Sequence, residues 1–410
     1  MRLPQQKLGK KTQRGAVLLI MLVIVVMGGL TLFVNSLGSN ATNFQLAHNR
    51  TTAEALAQAR VALIGHTASQ SITSISTGKL RLPDLGYSDA SLSVPAEGSS
   101  PPNFSGNTQG YSLIGKFPWK SLGTPPLRDG YGECLWYALS GWFKNTNLTS
   151  SINWDTQGQI DVLDSNGNTI ASNLVALVVA PGPVLAGQDR SLGDANYTQC
   201  GGNYNARNYM DTYDIANAIS GALNYFSGST NNRIAADTNN KSFIKADSDY
   251  YNDRFLFITV DDIFRPIIRR SDFATQVSAL LNDSDLQSNA MAISVSGTKG
   301  TDNLDCSAIT DTNNKAFCSA WKEMLLLYEL PSPSPITIDA SPTSSCTRVL
   351  VFSGQKTSSQ SRKNSTDKAD SANYLEGINL TSFTSSGTTF SGNSSFSAID
   401  PSADLLRCLL

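Results

Sequence analysis

The longest apolar segment of the chain lies near its start. Residues 16–34 contain one polar residue, Thr31, and as a helix these 19 residues are roughly long enough to cross the core of a bilayer. The segment before them is basic and contains no acid; its basic residues are Arg2, Lys7, Lys10, Lys11 and Arg14. This charge asymmetry predicts a cytoplasmic N-terminus and an outer location for residues 35–410. A cleaved secretory signal fits less well, because its apolar part is usually about 7–15 residues long.

The polar and apolar pattern predicts that a helix continues beyond the membrane. No proline occurs in residues 5–82, and Leu56, Ala59 and Leu63 recur at helical spacing. One helix over residues 16–69 is expected, about 80 Å long at 1.5 Å per residue.

Three places could interrupt this helix. Gly28-Gly29 and the segment 38–40 could bend it. Thr51 and Glu54 fit the spacing of a capping box and could restart the helix after a break.

The pattern changes to short apolar runs beyond residue 110. Asn166-Gly167 is a hairpin signal, and LVALVVA at 174–180 suits a buried strand. Residues 261–283 have a helical pattern with a break or start near Pro266, and AWKEMLLLYELP from Ala320 suggests a second short helix. The fold class predicted is therefore α+β: a long N-terminal transmembrane and stem helix, then a large β-rich ectodomain with a few short helices.

Five regions follow from these patterns. PSPSP at 331–335 is interpreted as a stiff linker, and the Ser/Thr/Gly-rich stretch 381–402 as loop or edge strands. The regions are a leader at 1–15, the transmembrane and stem helix at 16–69, a loop-rich connection at 70–110, a main α+β ectodomain at 111–335 and a C-terminal β-rich segment at 336–410.

The start of the chain resembles a known family. A short basic leader ending in Gly15, then Ala16 and an apolar helix, is similar to the N-terminus of type IV pilins and type II secretion pseudopilins. The likeness covers about 55 of the 410 residues. It implies that prepilin peptidase cuts between Gly15 and Ala16 and that Ala16 is then methylated. Major pilins carry glutamate at the fifth mature position, where this chain has Ile20; that departure resembles the tip pseudopilin called K and minor pilins of the X type.

A second resemblance covers most of the chain. The segments PWKSLGTPPLRDGYGECLWYALS, APGPVLAGQDR, NDRFLFIT and NYLEG are similar to large proteobacterial pilin-like proteins. The second resemblance supports the same class and adds no mechanism. The bulk of an ectodomain of about 340 residues, together with Ile20, favours a minor structural subunit at or near the tip of a pilus or pseudopilus, acting in assembly, surface interaction or secretion. Its partners would be other pilins through the N-terminal helix, prepilin peptidase and the inner membrane. Whether it serves a pilus or a secretion system stays open.

The six cysteines all lie beyond the apolar run, as expected for disulfides in an oxidising periplasm. Six cysteines allow 15 pairings, and the sequence alone does not choose among them. We favour sequential pairing, and the last loop would then resemble the disulfide-bounded region at the end of many pilins. The pairs would be Cys134 with Cys200, Cys306 with Cys318, and Cys346 with Cys408. Reduced buried cysteines remain an alternative; a metal site is disfavoured because no CxxC spacing or neighbouring histidine exists.

The charge of the chain indicates which partners it could bind. Charged residues make up 16% of the chain, and removal of the leader lowers the formal net charge from −2 to −7. A nucleic-acid partner is not expected, because that needs a basic surface.

Histidine is absent from residues 67–410, which excludes a Ser-His-Asp or Cys-His arrangement in the ectodomain. We therefore do not expect an enzyme. The alternative is a membrane-anchored periplasmic hydrolase that uses Asp247, Asp249 or Asp253, although solvated loop acids have the same pattern.

Two further features could bind a ligand. Asp302, Asp305 and Asp311 are candidates for Ca²⁺, which takes about six to eight oxygen ligands, but they form no recognised motif. No other cofactor is expected. Tryptophans at 119, 136, 142 and 154 favour core packing, and an adhesive surface is the alternative.

Overall fold

A computed structural model gives the architecture of most of the chain. It describes residues 42–86, 97–101, 112–146, 150–191, 199–204, 206–211, 241–245, 251–295 and 304–410. Over these ranges the fold is α+β, with a β-rich body and several helices, as predicted. Within them, no helix combines the length and apolar character needed to cross a membrane. The leader and the apolar run at 16–34 lie outside the described residues.

The first helix, α1, covers residues 42–68 and ends where the sequence predicted. The face that carries Thr52, Leu56, Ala59 and Leu63 is buried in the main core. Because this face repeats every three or four residues, α1 is an amphipathic helix laid on the body. The helix passes through Thr51 without a break, so the predicted restart at a capping box is wrong.

Two sheets form the first part of the body. The larger has the order β1-β2-β5-β7 with every pair antiparallel, and the smaller has the order β4-β3-β6 with β3 and β6 parallel. Their strands are β1 (Leu113–Lys116), β2 (Trp136–Leu139), β3 (Ile160–Asp164), β4 (Thr169–Leu174), β5 (Ala176–Ala180), β6 (Lys241–Lys245) and β7 (Arg254–Ile258). The predicted hairpin at Asn166-Gly167 joins β3 to β4, and all of β5 is buried, as its apolar run indicated.

Among the described residues, four helices lie between β7 and the next strand. They are α2 (Val260–Ile268), α3 (Ser271–Leu281), α4 (Ser284–Ala292) and α5 (Thr312–Trp321). A capping box between Thr259 and Asp262 starts α2. Pro266 lies inside α2, so the predicted break near it is misplaced; the chain turns at Arg269 and Arg270 instead.

The prediction of a helix from Ala320 is also wrong beyond its first residues. After α5, a short turn at Lys322–Met324 leads directly into a strand whose first residues, Leu325, Leu326 and Leu327, are fully buried. A short continuous apolar run fits a buried strand as well as a helix, and pairing with the next strand decides between them here.

A third sheet forms the last part of the body. Its order is β10-β8-β9-β11, built from β8 (Leu325–Ile338), β9 (Ser341–Phe352), β10 (Ser391–Gly392) and β11 (Leu405–Leu409). PSPSP lies within β8, where Ser334 pairs with Cys346 and Pro335 with Ser345. The linker interpretation is therefore corrected, and the boundary predicted at 335/336 falls inside this strand. The helices α6 (Ser365–Ala369) and α7 (Gly377–Ser385) fill the connection from β9 to β10, so the stretch from 381 begins inside a helix.

A single apolar cluster links these parts. It runs from Ala55 in α1 through the helices to Leu409 in β11. A second, smaller cluster fills the space between the first two sheets and centres on Trp136 and Phe243. The helix α1 and the C-terminal sheet thus contribute to one core.

Candidate functional site

The junction between α1 and the body is specific. Arg60 forms an ion pair with Asp262, with Nη2 and Oδ1 2.7 Å apart, and the backbone N–H of Gly130 donates to Thr52 Oγ1 at 2.9 Å. A Cβ at Gly130 would lie 2.3 Å from the carbonyl oxygen of His48, so only glycine allows this approach. The body therefore holds α1 through polar contacts as well as through the core.

The first turns of α1 carry exposed apolar side chains. Phe44 is 67% exposed and Leu46 is 60% exposed, while the buried face of the helix starts at Thr52. These residues follow the predicted membrane segment in the sequence. The processing residues Gly15 and Ala16, and Ile20 in place of the pilin glutamate, lie outside the described residues.

The cysteines are all oxidised, in the sequential pairing that we favoured. Cys134 bonds to Cys200, Cys306 to Cys318, and Cys346 to Cys408. The first crosslink ties the segment before β2 to residues 199–204, the second closes the loop into α5, and the third joins β9 to β11. The disulfides thus fasten each part of the body locally.

Two of the three acids proposed for Ca²⁺ lie in the described residues, and both accept local hydrogen bonds. Asp305 accepts hydrogen bonds from the backbone and hydroxyl of Ser307, and Asp311 caps α5 by accepting from the N–H of Asn314. Asp302 lies outside the described residues. Across the described part of the chain, no group of three or more His, Cys, Asp or Glu side chains is placed to hold a metal ion.

Of the acids proposed for hydrolysis, Asp253 lies in the described residues, and it is buried. Asp247 and Asp249 lie outside the described residues, and Asp253 is only 5% exposed. Asp253 and Asp211 accept each other's backbone N–H groups at 2.8–2.9 Å. Burial, and secondly the charge of Asp211, raise the pKa of Asp253 well above its usual value; burial raises the pKa of Asp211 to about 6. Asp211 also accepts the backbone N–H of Asn252. The sequence analysis missed Asp211 because it lies 41 positions before Asn252.

Core packing is confirmed for most of the tryptophans. Trp136, Trp154 and Trp321 are buried, and Trp154 and Trp321 meet edge to face with ring centroids 4.6 Å apart. Trp119 is partly buried against the same core. The exception is Trp142, which is 40% exposed.

Trp142 stands at a polar groove of about 400 Å³. The groove lies between the segment 150–157, the end of α5 and the loop that carries α6. Its lining residues are Trp142, Ser150, Ser151, Ile152, Asn153, Asp155, Thr156, Gln157, Ser319, Ala320, Glu323, Lys363 and Lys368. A volume in the range of roughly 300–1,000 Å³ is typical of small-ligand sites.

Hydrogen bonds and ion pairs fix the walls of the groove. Asn153 Nδ2 donates to the carbonyl of Ala320 at 3.2 Å, which joins the segment 150–157 to the end of α5. Lys368 Nζ lies 2.9 Å from both carboxylate oxygens of Glu323, which joins α6 to the turn that follows α5.

A buried ion pair lies beneath these walls. Asp155 Oδ2 and Arg362 Nη1 are 3.1 Å apart, and both side chains are almost fully buried. Burial raises the pKa of Asp155, and the charge of Arg362 opposes that rise. The guanidinium also lies over the ring of Tyr374, 4.2 Å from its centroid. Sequence reasoning missed Arg362 because its partner is 207 positions away.

Comparison with known proteins gives no relative: no family model, no curated protein and no solved structure matches this chain.

Proposed function

We propose that this chain is a minor pilin-like or pseudopilin-like subunit, placed at or near the tip of a type IV pilus or of a type II secretion pseudopilus. The observation that carries the proposal is the position of α1. Its second half is embedded in the body, and Phe44 and Leu46, ten and twelve residues after the end of the apolar run at 16–34, are exposed. This arrangement supports a stem that leads from the membrane into the head of a filament subunit.

In this proposal one apolar helix serves two states. Before assembly the run at 16–34 lies in the inner membrane, and after extraction neighbouring helices cover it in place of lipid. Phe44 and Leu46 would be covered at the same time, and burial of such side chains is worth about 1.5–3 kcal/mol each. Subunit contacts and membrane insertion therefore both bury apolar side chains of this helix.

Two features support a position at the tip. Ile20 removes the carboxylate that would pair with the amino terminus of a neighbour, and an intramembrane charge needs such a partner. The core of the body extends from α1 to Leu409, and a body of this size would obstruct the repeated stacking of a main subunit. A subunit added once avoids both problems.

The test is the processing of the N-terminus in cells with and without prepilin peptidase, read by intact mass and N-terminal peptide analysis. A mature start at methylated Ala16 that disappears without the peptidase is expected. An uncut leader in both strains would contradict the proposal and favour the anchored hydrolase, for which loss of activity on replacement of Asp253 is then the next measurement. Recovery of the chain as the main repeating subunit of purified filaments would contradict the tip position.

A further inference from the structure

We propose that the groove beside Trp142 binds an oligosaccharide, with one sugar ring stacked on the indole and its hydroxyls held by the polar walls. The groove would bind this ligand whether or not the chain is carried by a filament. Three observations carry the proposal: an exposed indole on a fixed piece of backbone, polar groups left unused, and a shortage of apolar lining.

The backbone on both sides of Trp142 is fixed. Gly141 and Phe143 are buried, and the carbonyl of Phe143 accepts the N–H of Leu80 at 2.7 Å. The indole itself has no hydrogen bond or ring contact within the described ranges. A large aromatic surface is thus presented to solvent on backbone that is already ordered, which reduces the backbone entropy lost on binding.

A sugar ring suits this surface. The C–H groups of one face of a pyranose carry partial positive charge, and the face of an indole carries the negative part of its quadrupole. Contact between the two faces removes apolar area from water without burying the hydroxyls, which point outward around the ring. Those hydroxyls then need donors and acceptors beside the indole.

The walls supply both. Gln157 offers an amide, Ser151 a hydroxyl and Lys363 an ammonium, and none of the three side chains has a hydrogen-bond partner or ion pair in the part of the chain that the structure covers. Glu323 adds carboxylate oxygens that are already oriented by Lys368. Because each hydroxyl both donates and accepts, a mixed set of amide, hydroxyl and charged groups matches a glycan.

The lining disfavours an apolar ligand. Apart from Trp142, only Ile152 and Ala320 among the lining residues are apolar. A hydrophobic peptide or lipid in this groove would leave the polar walls without partners, and a buried polar group without a hydrogen bond is unfavourable. A hydroxylated ligand avoids that cost.

The experiment uses the full chain purified in detergent and a panel of neutral and uronic-acid-containing oligosaccharides. Ligand-observed NMR and tryptophan fluorescence would measure binding. We expect saturable binding of at least one glycan, and on the order of tenfold weaker binding for Trp142→Ala, the loss that about 1.4 kcal/mol of stacking would produce. Trp142→Phe, which keeps an aromatic face, should retain part of the affinity, and Gln157→Ala should lower it.

Tyr131→Ala is the matched control, because Tyr131 is a 46% exposed aromatic that does not line the groove. Its affinity should equal that of the unchanged chain, and the melting temperatures of the groove variants should be unchanged. The proposal would be overturned by an absence of saturable binding across the panel, or by equal affinities of Trp142→Ala and the unchanged chain. Neither result depends on filament assembly, so failure here is distinct from failure of the tip-subunit proposal.

Discussion

At the scale of single residues, Arg362 shows how the groove is supported. Its guanidinium meets Asp155, lies over Tyr374, and donates from Nη1 to the carbonyl of Gly354 at 3.1 Å. Its Nε donates to the carbonyl of Asn373 at 2.6 Å. One buried cation therefore fixes both ends of the loop that carries α6.

Removing the counter-charge should be costly. Asp155→Ala leaves the guanidinium buried without its carboxylate, and we expect a loss of about 3–5 kcal/mol in the free energy of unfolding. Urea denaturation followed by circular dichroism measures it. The control is Lys356→Ala: its ammonium is 3.9 Å from Asp155 and the side chain is 36% exposed, so its removal should cost less than about 1 kcal/mol. Equal costs for the two variants would show that Arg362 does not depend on this carboxylate.

Asp404 gives the protein a pH dependence. Burial raises its pKa to about 7, although Asn379 Nδ2 donates to Oδ2 at 2.8 Å. In the unfolded chain its pKa is about 3.8, so between pH 4 and 7 the folded state binds the proton that the unfolded state releases. Stability from this group is therefore complete below about pH 4 and is lost as the pH rises towards 7.

Thermal unfolding at pH 5 and pH 8 tests this dependence. We expect a lower melting temperature at pH 8 and a smaller difference between the two pH values for Asp404→Asn, which cannot ionise. Asp400→Asn removes an exposed acid four positions away and should leave the difference unchanged. If Asp404→Asn keeps the full difference, other buried acids such as Asp211 cause it.

At the scale of elements, the helices and strands that were predicted correctly were those marked by periodicity or by a local apolar run. The spacing of Leu56, Ala59 and Leu63 gave α1, and the apolar run at 174–180 contained β5. The apolar run at 325–327 has no periodicity that separates strand from helix, and pairing with β9 decides it. PSPSP reads as a linker locally, yet it lies in β8 because the partner strand is placed opposite it.

The two faces of α1 provide a matched pair of variants. Leu63 is fully buried and Val61, two positions before it, is 67% exposed. Leu63→Ala should lower the free energy of unfolding by about 2–5 kcal/mol, since it leaves a cavity in the core. Val61→Ala should change it by less than about 0.5 kcal/mol. Chemical denaturation of the two variants measures both values, and a small effect of Leu63→Ala would show that α1 is only loosely attached.

The disulfides should differ in their contribution. The Cys346–Cys408 crosslink spans a sequence separation of 62 residues, and Cys306–Cys318 spans 12. On the loop-entropy account, replacing the first pair by alanine should cost about 1.5 kcal/mol more than replacing the second. Denaturation of the two double variants under identical conditions gives the difference. The reverse order would mean that strain or packing, rather than loop length, dominates.

At the scale of the whole molecule, α1 is part of the body. The residues of α1 enter the same core as the helices and the last sheet. The sequence indicated α1 itself but placed a boundary after residue 69, because burial against distant elements leaves no local signal. The groove was hidden for the same reason: its walls come from segments near residues 150, 320 and 365, and only Trp142 was visible in the sequence as a candidate.

Two fragments test the role of α1. A fragment of residues 42–410 keeps the embedded helix, and we expect a cooperative unfolding transition. A fragment of residues 70–410 exposes the apolar surface that Leu56, Ala59 and Leu63 cover, so we expect aggregation or loss of the transition. Size-exclusion chromatography and calorimetry distinguish these results. A well-folded 70–410 fragment would show that α1 is dispensable to the core.

The crosslinks also determine how the body responds to pulling. A load applied at α1 and resisted at the groove wall near Glu323 passes two disulfides along the chain, Cys134–Cys200 and Cys306–Cys318. The larger of these loops has a sequence separation of 66 residues, which would release roughly 220 Å of extended chain if it could open. Because it cannot, a body pulled open between α1 and Glu323 lengthens by that much less than the same chain without the crosslink.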